Sequence, residues 1–106
     1  VTASEILSPP QDYDQFLDKI KNSVNQSRAA PHQLRNIHGG ILKVKNVQEL
    51  KRLRYKLAYT GGRIREAKDL CNLLEDAIRR ADREEHLARI REFLEAVIAY
   101  QKSFGK

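Results

Sequence analysis

From Tyr13 to Gln101 the apolar residues recur at three- and four-residue intervals, and no segment alternates apolar with polar. That pattern confines the chain to helices. Side chains three or four apart share one face of a 3.6-residue turn, whereas a half-buried strand needs a period of two. Tyr13, Phe16, Leu17, Ile20 and Val24 make one stripe, on a helix expected from about Gln11 to Asn25. Pro31 suits the first position of a second helix, which carries Leu34, Ile37, Ile41 and Leu42. Gly39-Gly40 leaves three courses open there: the helix runs through, bends or breaks, each glycine costing about 1 kcal/mol against alanine if helical. A third helix spans about Val47 to Tyr59 behind an Asn46 cap, with Val47, Leu50, Leu53 and Leu57 inward. Gly61-Gly62 is expected to end it as a corner in the left-handed conformation. A fourth runs from about Arg63 to Ala81 on Ile64, Ala67, Leu70, Cys71, Leu74, Ala77 and Ile78. A fifth opens at the capping-box pattern Asp82-Arg-Glu-Glu85 and carries Leu87, Ile90, Phe93, Leu94, Val97 and Ile98. The expected fold is all-α, a compact bundle of about five helices with short connections. Residues 11–106 are its single domain. Residues 1–10, ending in Ser8-Pro9-Pro10, are expected to be an extended or frayed arm.

Charge is distributed unevenly over this bundle. Of the formal +6, residues 1–26 contribute four acids and two bases. Residues 27–56 hold eight bases and one acid, a net +7. Residues 57–81 hold five bases and four acids, and residues 82–106 five of each. The whole excess therefore sits in one block, which favours a polyanion partner over a merely solvated face.

Several chemistries have no support. The glycine pairs lack the spacing of a phosphate loop. His32 and His38 fall on different helical faces, and His86, after Glu84 and Glu85, reads as solvated surface, so no metal set is expected. Glu92 and Glu95, near Arg89 and Arg91, read as a solvated face with helical charge pairs. No Ser/His/Asp or Cys/His set accompanies Cys71, which reads as a small core residue. The chain is expected to be no enzyme and to need no cofactor. A single cysteine fits a reducing cytoplasm, and no apolar run is long enough to span a membrane. The sequence begins without Met, as expected of a chain lacking its first residues.

One face carries a pattern of its own. Opposite the leucines of the third helix stand Arg52, Tyr55, Lys56 and Tyr59, with Lys51 flanking and Arg54 at the edge of the buried stripe. Arg and Lys neutralise phosphates, and Tyr can bond sugar or phosphate or stack on an exposed base. The alternative is that both tyrosines pack on a neighbouring helix and the bases are simply solvated.

The order Leu53-Arg-x4-Tyr59-x-Gly-x-Arg63, then Lys68-Asp69-Leu70, resembles the small subunit of type III-A CRISPR–Cas (Csm) effector complexes. Asp82-Arg-Glu-x-x-Leu87 and the final Phe93-Leu-Glu-Ala-Val-Ile-Ala-Tyr-Gln-Lys-Ser-Phe-Gly-Lys106 resemble its last helix, and Gln33-Leu34-Arg35 the start of its second. The resemblance covers about residues 31–106. The stretch between Arg35 and Leu53 is shorter than the family's, and the first 30 residues carry no matching motif.

The resemblance implies a non-catalytic subunit of an antiviral ribonucleoprotein. Its copies would stack as a minor filament beside the backbone subunits and line the channel holding guide RNA paired to target RNA. Contact would be to the RNA backbone without sequence specificity, because pairing reads sequence. The residues expected to bind RNA are Arg35, Arg54, Arg63 and Lys68, which carry the match, and Lys51, Arg52 and Lys56, from charge and helix geometry. Arg54 has the alternative of pairing with an acid on another helix. Arg79, Arg80 and Arg83 form a second cluster, expected to be solvated. Two other readings compete. One is a helical DNA-binding regulator, with Gly61-Gly62 as the turn before a recognition helix. The other is a helical adaptor whose basic face meets an acidic protein.

Overall fold

Seven α-helical segments follow one another along residues 1–105, the residues that the computed structural model describes: α1 (Ala3–Leu7), α2 (Tyr13–Gln26), α3 (Pro31–Lys43), α4 (Val47–Lys51), α5 (Arg54–Arg63), α6 (Lys68–Arg80) and α7 (Glu84–Ser103). A 3₁₀ turn, Arg65–Ala67, leads into α6, and no strand occurs among the described residues. Lys106, the last residue of the expected domain, lies outside them.

The longest stripe builds the element on which most others lie. With 20 residues α7 is about 30 Å long, and α1, α2, α3 and α4 pack along it. Helix α6 takes α1 and α4 as well, and its most extensive partner is α5. The molecule is a slab of 35 × 34 × 19 Å, whose short dimension is about two helix diameters. Between the layers Ile20, Ile41, Leu50, Leu74, Ile78, Ile90 and Leu94 are fully buried. Each such side chain contributes about 1.5–3 kcal/mol of burial free energy. Among the described residues, no helix is long and apolar enough to cross a membrane.

Helix ends are closed by side chains that answer the orphan backbone groups. Asp12 and Asn46 accept the Gln15 and Glu49 amides at 3.0 and 2.9 Å. Two cations serve helix C-termini instead. Lys51 Nζ donates to the Ile78 and Arg79 carbonyls of α6 at 2.9 and 3.2 Å. Arg91 Nη2 donates to the Val44 carbonyl just past α3 at 2.6 Å. Both place positive charge at the negative end of a helix dipole.

The structure departs from the sequence expectations in five places. Residues 1–10 are not simply an extended arm. Thr2 and Glu5 form a capping box and Ala3, Ile6 and Leu7 bury against α6 and α7. The prolines stand after this short helix, not in it, and core contacts hold a segment too short to be helical alone. Next, the expected third helix is two. At Arg52 and Leu53, i→i−3 bonds to Glu49 and Leu50 tighten the turn and re-aim the chain. Third, Gly61-Gly62 is no corner. Both lie inside α5, which ends at Arg63, and positive φ occurs only at Gly105 among the described residues. The fourth helix accordingly begins later, at Lys68. Fourth, the Asp82–Glu85 capping box does not form. The helix starts one residue later, with Arg83 at the cap position, and Glu84 accepts the Val47 amide across the fold. Fifth, that shift turns His86 inward. It is 8% exposed, and its Nδ1 accepts the Asp82 amide at 3.1 Å. Helix α3 runs straight through Gly39-Gly40.

Candidate nucleic-acid interface

Helix α5 has no acidic residue, and its inward positions are few: Leu57 and Gly61 are its buried residues. Gly61 lets α5 lie directly on α6. A Cβ there would stand 3.0 Å from the Cys71 Cβ and 3.5 Å from the Lys68 Cα. Cys71 is itself fully buried, and burial pushes its thiol pKa up, which disfavours the nucleophilic thiolate.

With Gly61 facing inward, the rest of the helix surface faces out. Tyr55 and Tyr59 are 69% and 66% exposed, so neither packs on a neighbouring helix. Because the helix continues through the glycines, Arg63 falls four residues beyond Tyr59 and seven beyond Lys56, on the same face. Lys56, Tyr59 and Arg63 thus make one outward row, and Arg52, exposed in the turn just before α5, stands at its start. Among the described residues, no hydrogen bond or ion pair occupies the side chains of Arg52, Lys56 or Arg63, and all three are exposed.

The remaining expected RNA contacts separate from this row in different ways. Lys51 is half-buried and spends its charge on the end of α6. Arg54 is half-buried too. Its Nη2 lies 3.7 Å from Glu75 Oε1, and its Nε is buried without a partner. The alternative of a tie between helices describes it better. Lys68 is exposed in the first turn of α6, beside Gly61. A cation there opposes the helix dipole, so it adds nothing to that helix end. Arg35 is exposed on α3, and no ion pair holds it among the described residues. In the second cluster, Arg79 and Arg80 both pair with Asp76, at 2.8 and 3.1 Å, and hold its carboxyl below the usual range. Arg83 pairs with Glu85 and Asp82. That cluster is exposed but already matched with acids.

A groove of about 460 Å³ runs between α3 and α5. Lys56, Thr60 and Arg63 line one side, and His32, Gln33 and Asn36 the other. Ile37, Gly40, Ile41, Leu53, Leu57 and Ile64 line it as well. Among the described residues, no carboxylate lines it. The sequence assigns none of the three α3 residues a contact role, although Gln33 stands in the family motif. Their one signal is the i, i+4, i+8 row His32, Asn36, Gly40, which is a face only if α3 stays helical through its glycines. Among the described residues, no three His, Cys, Asp or Glu side chains gather as a metal site.

A family model described as Csm2 Type III-A matches residues 8–106. The match takes in α2, where no family motif was read from the sequence. No curated protein and no solved structure matches the chain.

Proposed function

Because the chain belongs to the Csm2 type III-A family, the small subunit of type III-A Csm complexes, we propose that its α5 row binds the guide and target RNA backbone. The observation that carries this reading is the row itself: Lys56 and Arg63 on the acid-free helix α5 and Arg52 just before it, exposed and with no side-chain partner among the described residues, with Tyr55 and Tyr59 beside them. Unpaired cations release counterions to a polyanion, which pairs already matched with acids do far less well. Arg35 and Lys68 extend the row at its margins, while Lys51 and Arg54 hold helices together. The subunit is non-catalytic and needs no cofactor. It works in the cytoplasm, stacked with copies of itself as a minor filament beside the other effector subunits, in antiviral defence.

The test is binding of unrelated single-stranded RNAs to the full chain across a salt series. Sequence-independent affinity that falls steeply with salt is expected, with a log–log slope magnitude of about 2–4 for three to five neutralised phosphates. Salt-insensitive binding, or strong preference for one duplex DNA sequence, would refute it. The DNA-regulator reading has lost its main support, because the turn it needed at Gly61-Gly62 is helical. Co-purification with the other subunits and guide RNA tests the filament role separately.

A further inference from the structure

We infer that the groove between α3 and α5 receives an unstacked nucleobase of the RNA strand whose phosphates follow the α5 row. The inference rests on the RNA-binding reading above and adds to it a contact with a base.

A phosphate track requires cations and nothing more. This groove has a second chemistry. Ile37, Leu53 and Ile64 are only partly buried and offer an apolar floor in the same groove as Lys56 and Arg63. An apolar floor next to fixed cations suits a ligand that is flat and apolar at one end and anionic at the other. A nucleotide with its base turned out of the stack is such a ligand. Its volume requirement is met, since sites for small ligands measure about 300–1,000 Å³. Opposite the cations stand two side-chain amides. Gln33 uses its Oε1 to accept the Ala30 amide at 3.0 Å, which leaves its NH₂ to donate, and Asn36 is exposed. Amides both donate and accept, so they satisfy the edge of any base without selecting one. That agrees with a subunit indifferent to sequence.

Gly40 supplies an independent observation. It sits inside α3, where glycine costs about 1 kcal/mol against alanine. Its φ is not positive, so the backbone does not require glycine. A Cβ built there meets nothing within 4 Å, so no neighbouring helix requires it either. Gly40 lines the groove, so a large side chain there takes up its space. A glycine at that position leaves the α3 wall of the groove open to close approach by a ligand. An acidic, apolar segment of a protein would share part of this chemistry. The exposed Tyr55 and Tyr59 on the adjoining face favour RNA, because they offer ring faces to the bases on either side.

The test compares a single-stranded oligouridylate with an abasic oligonucleotide of the same phosphate count, using the full chain. Roughly tenfold weaker binding of the abasic strand is expected, with the same salt slope. Gly40→Leu should weaken oligouridylate binding towards the abasic level, the remaining difference being stacking on Tyr55 and Tyr59, and leave abasic binding unchanged. Gly39→Leu, equally open but outside the groove, should leave both as they are. Circular dichroism melts establish that each variant is folded, and the wild-type comparison stands without them. Equal affinity for the two strands, with a normal salt slope, would overturn the inference while leaving the RNA-binding reading intact. Absence of salt-dependent RNA binding would overturn both. Unchanged RNA affinity in Gly40→Leu with altered self-association would assign the groove to another copy of the chain and overturn the base contact.

Discussion

Gly61 and Cys71 bring α5 and α6 into direct contact: a Cβ on Gly61 would lie 3.0 Å from that of Cys71. The Cys71 Cβ is bonded to backbone and cannot swing aside, so an added methyl must push the helices apart. Gly61→Ala should therefore lower stability by about 1–3 kcal/mol, despite alanine's better helix propensity. Gly62→Ala, whose Cβ meets nothing within 4 Å, should raise it by about 0.5–1 kcal/mol. Denaturant melts of the two variants check this. A rise in both would show that the helices are free to separate.

Lys51 and Lys56 are near neighbours in sequence with different tasks. Lys51→Ala removes two charge-assisted bonds from the end of α6 and should cost about 1–3 kcal/mol of stability. Its effect on the salt slope of RNA binding should be small. Lys56→Ala should stay within about 0.5 kcal/mol of wild type and reduce the slope. The paired measurements, a melt and a salt titration on each variant, would expose a reversed assignment at once.

Replacing Arg52, Lys56 and Arg63 together by alanine removes three unpaired cations. For single strands the slope changes by about 0.7 per phosphate contact, so its magnitude should fall by about 2. The same triple change at Arg79, Arg80 and Arg83, already matched by Asp76, Asp82 and Glu85, should move it less. RNA filter binding from low to moderate salt distinguishes the two.

Tyr13 on α2 donates to Glu92 on α7 at 2.5 Å, and this bond pushes its pKa up to about 12. The folded protein then holds a proton that the unfolded chain releases near pH 10. Stability contributed by this group is complete below pH 10 and is lost as pH rises from 10 through 12. Tyr13→Phe should flatten that decline in alkaline melts.

Glu5 behaves with the opposite sign. Its bonds to Lys19 and to the Thr2 amide hold its carboxyl below the usual range. Its contribution is present above the ordinary carboxylate pKa and disappears as pH falls through the lowered one. Glu5→Gln should soften the acid limb of the stability profile and loosen α1, seen as faster amide exchange at Ile6 and Leu7. A wild-type acid limb in this variant would remove Glu5 from the account.

Much of this was legible in the chain alone. The stripes of α2, α6 and α7, the burial of Cys71, the Asn46 cap and the outward Tyr55 and Lys56 all follow from the period of one helix and the residues at its ends. The concentration of positive charge in residues 27–56 is likewise a property of the sequence. The family resemblance pointed to the same segment.

Tertiary structure decided what local pattern leaves open. Lys51 and Arg52 are adjacent and both cationic, yet the Lys51 side chain meets carbonyls 27 and 28 positions away while that of Arg52 meets none among the described residues. Gly61 and Gly62 look alike in sequence, but only Gly61 faces Cys71. Ala3 to Leu7 is a helix because α6 and α7 cover it. Periodicity is set by the geometry of a single helix, which the sequence carries completely. Which charges remain unpaired, which glycine is crowded and where a groove opens depend on how helices cross, and those distances exist only once the core is closed.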